Sequence, residues 1–575
     1  MSPENRDTTL QQAKLPQEFI ELAEASIGRE ALAVYLNHFN TIVGEKQENS
    51  ASSGAVTSIR LNPAKTGINA DTPQNLNASN SADPLQNGRT AIPSGFESLL
   101  ENAEPVPWCS TGFYLPERPQ FTLDPLIHCG AYYVQEASSM FAQTVFDTIK
   151  SIDREFATTP LRVLDLCAAP GGKSTHIASL LNEDSLLVSN EVIKSRVVIL
   201  ADNLAKWGAE NVVVTNNDPK DFSRIKEWFN IIFVDAPCSG EGMFIKDPAA
   251  IKEWSPANVE LCASRQKRIL QDIWGSLQEG GYLVYSTCTF NHFENDSNLE
   301  YIVEELGAEV VEMAFPTLSC PNSSTPSAKP QIIKTSAGGY QFVPGLVKGE
   351  GQFVAVVRKV SAREEEENCR ENHGGHNVFS KGKKEKGGTK TKGSAGNTVK
   401  GFNWLSCNEY DFAMQGELIK AYPKRLSNDI KFIEQNLKVV SSGIAAATIK
   451  GKDFIPHADL ALGQNLTKRV VATQLTTDST STEQQPDEVG QMSVEDGKNS
   501  RAAATKECSD LPFPTVELSR EEALAFLSKE PLTFENSPNG YLLLTYKGIP
   551  LGFVKNLGNR SNNLWPQARR IRMAH

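Results

Sequence analysis

The stretch LDLCAAPGGKST at residues 164–175 decides the fold, because an apolar strand runs directly into a glycine pair and then into a helix. Gly171 and Gly172 allow the backbone to turn tightly and to approach a ligand without a Cβ clash. The following helix carries Ile177 and Leu180 on one face and directs its first N–H groups at the same loop. A strand-end loop of this type favours a nucleoside cofactor that carries a carboxylate or a sulfonium.

Two other interpretations of this loop remain open. The sequence Gly172-Lys173-Ser174 ends like a Walker A phosphate loop, but Cys167 stands where that motif requires its first glycine. A tight Gly-Gly turn without any ligand is the second alternative.

Short β-branched runs alternate with helical stretches between residues 161 and 359. The runs are RVLDL, LLVSNEV, VVVTNND, IIFVDAP, YLVYSTC, AEVVEM and FVAVVRK. Strands separated by helices predict right-handed βαβ crossovers and a mostly parallel sheet. The run IIFV is apolar throughout, as expected for a strand that is covered on both faces. The predicted fold class is therefore α/β.

Polar and thiol side chains follow four of these strands. Glu191 follows the second strand, where an acidic residue can accept both ribose hydroxyls of a nucleoside, and Asp218 follows the third. Asp235 and Cys238 follow IIFV, and Cys288 leaves the next strand. Ligands of open α/β sheets bind at this carboxyl edge. If the last two strands are neighbours, both thiols face the crevice that holds the cofactor.

The remaining cysteines are expected to be buried and inert. They are Cys109, Cys129, Cys262, Cys320, Cys369, Cys407 and Cys508. The chain has ten cysteines and no C-x-x-C pair, which argues against a disulfide scaffold and indicates a reduced, cytoplasmic compartment. Zinc would require further ligands at close spacing, and His292 is the only histidine near Cys238 and Cys288, so no metal site is predicted.

The length of 575 residues predicts several domains, and the net charge of −12 argues on average against a nucleic-acid partner. Neither a secretory signal nor a membrane-spanning apolar run is recognisable. Composition predicts disorder near residues 66–95 and low-complexity linkers, rich in lysine in one case, between ordered units. The predicted segments are 1–155 (with the disordered insertion), 156–360, the linker 361–401, a small unit at 402–466, the linker 473–507 and 511–575.

Local patterns add detail within the ordered segments. Apolar residues at helical spacing predict a helical region over residues 15–39. In the last segment we expect a helix around residues 521–527 and a strand pair whose turn is Lys-Gly-Ile-Pro at 547–550. The basic tail with Arg560, Arg569, Arg570 and Arg572 is either a set of phosphate contacts or a solvated terminus.

The motifs DLCAAPGGKSTHIA, NEV, NND, DAPCSGEGMF and YSTCTF, in this order, resemble the Nop/Sun-type RNA cytosine-5 methyltransferases, which use S-adenosylmethionine. YYVQEASSM at residues 132–140 is similar to the segment that precedes their cofactor domain. TSIRLNP at 57–63 resembles their N-terminal RNA-contacting region. LGFVKNLGNRSNNLWP at 551–566 resembles the PUA-like C-terminal domain of the RsmF-like bacterial 16S rRNA branch.

The resemblance implies a Rossmann-like class I methyltransferase core between an N-terminal RNA-binding α+β region and a C-terminal PUA-like domain. It implies Cys288 as the nucleophile and Cys238 as the thiol needed to release product, whereas the residues alone do not rank the two. Asp235 could hydrogen-bond the flipped cytosine. The residues implied to bind S-adenosylmethionine are Cys167, Ala168, Ala169, Pro170, Gly171, Gly172, Lys173, Glu191, Asp218 and Asp235.

The implied partner is RNA, most simply rRNA or the small ribosomal subunit. The protein is expected to act as a monomer and to bind neither a membrane nor DNA. A DNA cytosine methyltransferase would ordinarily carry its nucleophile in a proline-cysteine loop. Methylation of tRNA or of large-subunit rRNA, and a non-catalytic assembly factor, are the alternatives. Two positions depart from the family: TFNHFEND after Cys288 lacks the usual proline, and Gly345 stands where a histidine is usual.

Overall fold

The computed structural model describes residues 15–48, 56–68, 95–315, 331–360, 399, 401–470 and 511–573. The three predicted low-complexity segments, at 66–95, 361–401 and 473–507, lie outside this part of the chain except for a few residues at their ends. Among the described helices, none combines the length and the apolar character that a membrane span requires.

The N-terminal unit combines a helical pair with a small antiparallel sheet. The predicted helical region forms two helices, α1 (Gln17–Ile27) and α2 (Arg29–Glu48), separated by Gly28 with φ of +81°. The sheet has the order β2–β3–β1–β4, with β1 (Thr57–Leu61), β2 (Glu104–Pro105), β3 (Gly112–Leu115) and β4 (Tyr132–Val134). The other helices are α3 (Pro63–Thr66), α4 (Pro125–His128), α5 (Ala142–Ile152) and α6 (Arg154–Thr158).

A ten-stranded sheet organises the central unit. Nine of its strands are β5 (Arg162–Asp165), β6 (Leu186–Asn190), β7 (Val212–Thr215), β8 (Phe229–Asp235), β9 (Leu277–Thr287), β10 (Ala308–Val311), β11 (Ile333–Lys334), β12 (Tyr340–Phe342) and β13 (Gln352–Lys359). The strands β9–β8–β5–β6–β7 pair in parallel in this order, whereas the flanking pairs are antiparallel. The α/β prediction is confirmed, but parallel pairing is restricted to these central strands, so the whole sheet is mixed.

Helices cover both faces of the central sheet. They include α7 (Gly172–Leu180) and α8 (Lys194–Trp207) on one face and α10 (Pro256–Trp274) and α11 (Asp296–Glu304) on the other, whereas α9 (Pro248–Glu253) packs with α1 and α2. Ile231 and Phe233 of β8 pack in the core on the side of α7 and α8, while Ile232 and Val234 pack on the side of α10 and α11. The apolar run IIFV is therefore a strand with no solvent-facing side.

The intermediate unit has its own antiparallel sheet and also extends the central one. Its elements are β14 (Tyr410–Gln415), β15 (Leu418–Pro423), α12 (Ser427–Asn436), β16 (Val439–Ser442), β17 (Ile444–Lys450), β18 (Asp453–Pro456) and α13 (Ala458–Leu462). Strand β16 pairs with β7 and is the tenth strand of the central sheet. The unit is thereby joined to the central unit by backbone hydrogen bonds.

The C-terminal unit contains β19 (Thr515–Glu517), α14 (Arg520–Leu527), β20 (Gly540–Tyr546), β21 (Ile549–Asn556) and β22 (Ser561–Asn563). The predicted helix and strand pair are confirmed. Lys547 and Gly548 form the hairpin turn with φ of +51° and +73°, the left-handed pair that a tight hairpin favours.

The C-terminal unit packs between two other units. Leu544 of β20 lies in the same core as Ile59 of β1, whereas its neighbour Leu543 lies in the core of the intermediate sheet with Ile419. Both faces of β20 are therefore buried, which explains its unbroken apolar run.

Arg569 links three units, so it is neither the phosphate contact nor the solvated residue that the two interpretations of the basic tail predict. Its side chain is 9% exposed. Its Nε lies 2.6 Å from Asp202 Oδ1 on α8, and its Nη1 lies 2.8 Å from Asp459 Oδ1 on α13. Arg560, Arg570 and Arg572 are exposed.

Replacement of this arginine should test the junction. We expect Arg569→Met to lower the free energy of unfolding by about 2 kcal/mol, because two carboxylates lose their shared partner. The value lies below that for a fully buried pair, since Asp202 is 35% exposed and keeps a 2.7 Å contact with Lys206. Thermal denaturation should show a lower midpoint for Arg569→Met and an unchanged midpoint for the exposed control Arg572→Met. Equal midpoints for the two variants would contradict the assignment.

Candidate active site

The loop between β5 and α7 is held by side chains that bind its carbonyl groups. Arg196 Nη2 donates to Ala169 O at 2.7 Å, and Asn203 Nδ2 donates to Pro170 O at 2.8 Å. Gly171 has φ of +115°, and a Cβ there would lie 3.3 Å from Leu200 Cδ1. Glycine therefore allows the loop to turn into α7 in close contact with α8.

Asp165, the last residue of β5, is a buried carboxylate that is not among the site residues predicted from the sequence. Its Oδ2 accepts a 2.6 Å hydrogen bond from Ser174 Oγ, whereas its Oδ1 is buried and has no hydrogen-bond partner among the described residues. Burial raises the pKa of Asp165 to about 7, although the bond from Ser174 acts in the opposite direction. In the sequence, the position of Asp165 at the end of a predicted strand and just before the glycine loop could have indicated its place in the site.

Glu191 lies directly after β6 and is 3% exposed. Its Oε1 accepts from the Ile193 N–H at 2.8 Å, and its Oε2 lies 3.3 Å from Arg196 Nη1. Val192 and Ile193 are 52% and 47% exposed, so apolar surface flanks this carboxylate. A fixed carboxylate beside exposed apolar side chains can hold the hydroxyls of a ribose whose base lies on the apolar surface.

Asn190, which is also not among the predicted site residues, joins the ends of three strands. Its Nδ2 donates to Leu166 O at 3.1 Å and to Asn217 O at 3.0 Å, and its backbone carbonyl accepts from the Ala168 N–H. The loops after β5, β6 and β7 are thereby fixed to one another.

Asp218, at the predicted position after β7, caps a short 3₁₀ helix. Its side chain accepts from the Lys220 N–H, and the Asp221 side chain accepts in turn from the Asp218 N–H. Arg268 Nη1 lies 3.8 Å from its carboxylate. The structure places Asp218 at the same sheet edge as Glu191 but gives it a helix-capping role.

Cys238 and Cys288 are brought together as predicted, because β8 and β9 are parallel neighbours. Their Sγ atoms are 3.1 Å apart, and the Cys288 N–H donates to Cys238 Sγ at 3.3 Å. The hydrogen bond to Cys288, followed by burial, holds the pKa of Cys238 well above its usual value. Cys238 thus remains a thiol that can donate its proton to Cys288 Sγ.

Lys173 and Asp235 form an ion pair beside the thiols, with 3.0 Å between Nζ and Oδ2. Ser286 Oγ donates to Asp235 Oδ1 at 2.7 Å and fixes the carboxylate. Burial lowers the pKa of Lys173, but the charge of Asp235 and the bond to it outweigh burial and raise the pKa above its usual value. The edge therefore holds a permanent positive charge next to a partly exposed carboxylate.

Two buried glutamates connect the loops that carry the two thiols. Glu241 Oε2 accepts from the Phe290 and Asn291 N–H groups at 2.7 and 3.1 Å. Glu294 Oε2 accepts from the Ser239 N–H at 3.0 Å. Each carboxylate thus lies on one loop and bonds the backbone of the other, which keeps Cys238 and Cys288 in register. Glu241 and Glu294 stand next to the two cysteine motifs in the sequence, but nothing in the sequence indicates that each carboxylate bonds the backbone of the other loop.

Other predicted residues have simpler positions. Cys167 is half-buried in the cofactor loop, and burial raises its pKa. Cys109, Cys129 and Cys262 are buried as expected, but Cys407 is exposed and that prediction is wrong. Cys320, Cys369 and Cys508 lie outside the described residues. In the part of the chain that the structure describes, no group of three metal-ligating side chains occurs.

The segment at 57–63, predicted to contact RNA, lies inside the protein. All five residues of β1 are buried, and Asn62 is 0% exposed. Asn62 Nδ2 donates to Trp207 O at 2.9 Å at the end of α8. This segment therefore contacts the central unit, and its predicted contact with RNA is wrong.

Sequence comparisons assign three regions of the chain. Residues 157–358 match the family described as 16S rRNA methyltransferase RsmB/F. Residues 513–571 match the methyltransferase RsmF PUA domain, and residues 77–137 match the N-terminal domain of 16S rRNA methyltransferase RsmF. Together the three matches cover more than half of the chain.

The chain is also similar to individual named proteins. The chain is 29% identical over 473 residues to a ribosomal RNA small subunit methyltransferase F of Shewanella piezotolerans, covering 81% of this chain and 85% of the relative. It is 38% identical over 268 residues to that of Shewanella halifaxensis, covering 45% of this chain and 54% of the relative. A solved methyltransferase homologue from Pyrococcus horikoshii matches with a TM-score of 0.42 and 21% identity, covering 60% of this chain and 96% of that one.

Proposed function

The chain belongs to the RsmB/F family of 16S rRNA methyltransferases, and from this premise we propose that it methylates C5 of a cytosine in small-subunit rRNA with S-adenosylmethionine. The observation that carries the proposal is the thiol pair, with Cys238 and Cys288 Sγ atoms 3.1 Å apart at the edge that also holds the glycine loop. A pair of thiols beside a nucleoside site fits covalent catalysis on a pyrimidine.

The residues of this edge fit S-adenosylmethionine. Glu191 suits the ribose, and Val192 and Ile193 offer apolar surface to the adenine. Asp235 adds negative charge near a cationic sulfur, and that cation would favour the charged form of Asp165, one oxygen of which has no hydrogen-bond partner among the described residues. When bound, the cofactor supplies a methyl group activated by that sulfonium.

Cys288 carries the first step of the proposed reaction. Cytosine C5 is a weak nucleophile, and addition of the Cys288 thiolate to C6 makes C5 electron-rich enough to accept a methyl group. Lys173 places a positive charge beside the reacting groups, where it can balance negative charge that passes from the sulfur to the base. Asp235, held by Lys173 and Ser286, is placed to accept a hydrogen bond from the amino group of the base, or from N3 once N3 is protonated.

Cys238 acts in the second half of the reaction. After methyl transfer, water takes the proton from C5, and the electrons of that C–H bond re-form the C5–C6 double bond as the bond between Cys288 Sγ and C6 breaks. Cys238 remains protonated and lies within hydrogen-bond reach of Cys288 Sγ, so it can donate to the departing thiolate. This division of roles agrees with the raised pKa of Cys238.

We further propose the organisation in which this chemistry takes place. Residues 156–360 form the methyltransferase domain, residues 1–155 an N-terminal RNA-binding region in which the segment 57–63 is buried against the central unit, and residues 511–575 a PUA-like RNA-binding domain. The target nucleotide leaves its stack to reach Cys288. Exposed Arg560, Arg570 and Arg572 are placed to contact phosphate. The protein acts as a monomer in the reducing cytoplasm, where two adjacent thiols stay free.

Tritium release tests the proposed function. The full chain is incubated with S-adenosylmethionine and small-subunit rRNA that carries tritium at cytosine C5. We expect one tritium to be released for each methyl group transferred, because C5 exchanges its hydrogen for methyl. Methyl transfer without tritium release would contradict C5 as the target, and efficient transfer only to tRNA or large-subunit rRNA would contradict the substrate.

The carboxylate of Glu191 provides a test of the cofactor site alone. We expect Glu191→Gln to weaken binding of S-adenosylhomocysteine by about tenfold or more, because a charged acceptor for the ribose becomes neutral. Isothermal titration calorimetry measures this affinity. Glu300→Gln, an exposed carboxylate on α11, is the control and should bind normally. Unchanged affinity in Glu191→Gln would contradict the assignment.

A further inference from the structure

Arg60 is a buried cation in the N-terminal unit that contacts the beginning of α7. Its side chain is 0% exposed, and its guanidinium carbon lies 4.5 Å from the centroid of the Trp207 ring. Nη2 donates to Thr175 Oγ1 at 2.6 Å and approaches Gly172 O at 3.4 Å. The hydrogen bonds of this buried guanidinium go to the first turn of α7, directly after the glycine loop. Such an arrangement requires an explanation, because burial of a charge is costly.

We propose that Arg60 is a positioning residue that holds the cofactor loop in its binding conformation, an inference that rests on the proposed function. Arg60 would act through Gly172 and Thr175 rather than by touching the methyl group or the RNA.

The guanidinium itself is fixed from the other side. Its Nε donates to Gln135 Oε1 at 2.7 Å. Gln135 is in turn bound to β1, since its N–H donates to Ser58 O and its carbonyl accepts from Ser58 Oγ at 2.6 Å. A planar donor clamped by Gln135 and by the Trp207 ring has little freedom to rotate, so it can impose a position on the loop.

The loop side of the contact converges on one carbonyl. Gly172 O accepts a hydrogen bond from the Thr175 hydroxyl at 3.0 Å, in addition to the contact with Arg60. Arg196 on Ala169 O and Asn203 on Pro170 O hold two carbonyls of the loop, and Arg60 holds that of Gly172, the first residue of α7, so donors from outside fix both the loop and its entry into the helix. Lys173 follows Gly172 directly, so the same contact sets the start of the side chain that pairs with Asp235.

Two neighbours in the same segment provide a matched comparison. Asn62 Nδ2 donates to Trp207 O, and Lys65 Nζ donates to Lys206 O at 2.8 Å. Both side chains are buried and join the same two units as Arg60 does, but their contacts lie at the end of α8 and not at the loop. General loosening of this interface should therefore affect Lys65 and Arg60 variants alike, whereas loss of loop positioning should affect only Arg60.

The experiment compares Arg60→Met, Arg60→Lys and Lys65→Met in the full chain. Calorimetry measures the affinity for S-adenosylhomocysteine, and a filter-binding titration at several salt concentrations measures the affinity for RNA. We expect Arg60→Met to weaken S-adenosylhomocysteine by about tenfold or more, since a hydrogen-bonding cation is lost. RNA affinity and its salt dependence should stay within about twofold, since no phosphate contact is lost. Lys65→Met should lower the thermal midpoint and leave the affinity for S-adenosylhomocysteine unchanged.

A second arm keeps the proposal testable if Arg60→Met does not fold. Thr175→Val removes the partner hydroxyl from the loop side and should weaken S-adenosylhomocysteine in the same direction. Arg60→Lys keeps the charge but loses the fork, and should recover only part of the affinity. In folded proteins the double variant Arg60→Met/Thr175→Val should lose less affinity than the sum of the two single losses, because the two changes remove one shared interaction.

Three results would overturn the role of Arg60. They are normal affinity for S-adenosylhomocysteine in the Arg60 and Thr175 variants, equal losses in Arg60→Met and Lys65→Met, and a fall in RNA affinity with a shallower salt dependence. If the unsubstituted chain bound no S-adenosylhomocysteine, the proposed function would fail together with this inference. If it bound normally but released no tritium from RNA, only the proposed function would fail.

Discussion

Cys288→Ala is expected to reduce methyl transfer to RNA by about 10⁴-fold or more, because no other group in the proposed reaction can add to C6. Cys288 lies in a loop and is half-buried, so removal of one sulfur should leave the fold intact. Single-turnover transfer of a radiolabelled methyl group measures the loss, and circular dichroism verifies folding.

A matched cysteine supplies the control. Cys262 lies buried on α10 and is not part of the thiol pair, so Cys262→Ala should retain activity within about threefold, as substitutions outside the reacting groups usually do. Retention of more than a few per cent of the activity by Cys288→Ala would contradict its role as the nucleophile.

Cys238→Ala is expected to trap the enzyme on its RNA. The Cys238 thiol lies 3.1 Å from Cys288 Sγ and stays protonated, so its loss removes the donor that assists departure of Cys288 from C6. Multiple turnover should fall by about 100-fold or more, as for loss of a general acid. A slowly migrating protein–RNA band should accumulate on denaturing gels.

The double variant completes this experiment. Cys238→Ala/Cys288→Ala should form no band, since the adduct requires the Cys288 thiolate. Accumulation of the band in Cys288→Ala instead would reverse the two roles. Such a result would leave the chemistry in place and exchange the residues.

The central sheet could be predicted from the sequence because its signals are local. Each of the seven β-branched runs, from RVLDL to FVAVVRK, contains a strand of the sheet. The meeting of Cys238 and Cys288 followed from the same logic, since both thiols leave adjacent strands at one edge. Order along the chain and position at strand ends were sufficient for these two features.

Contacts between units could not be predicted, because they join residues far apart in sequence. Arg60 bonds a loop 112 positions away, and Arg569 pairs with a residue 367 positions away. A lone arginine in a strand or tail is typical of a surface, and burial by a neighbouring unit reverses that expectation. The overall charge of −12 was uninformative for the same reason, since it does not distinguish buried from exposed cations.

Gly345, one of the two departures from the family, has a physical explanation. It has φ of +93°, and a Cβ at this position would lie 2.9 Å from Val34 Cγ1 and 3.2 Å from His38 Cβ on α2. A larger residue would therefore collide with α2. In the other departure, the loop after Cys288 is fixed without a proline by the bonds of Asn291 and Glu294 to the loop after β8.

Bisulfite sequencing of RNA tests the central claim most directly. Total RNA is compared between a strain that lacks this protein and the same strain complemented with the unsubstituted chain or with Cys288→Ala. The account predicts a cytosine in small-subunit rRNA that resists conversion only when the unsubstituted chain is present. Identical conversion of small-subunit rRNA in all three samples, or full protection by Cys288→Ala, would contradict it.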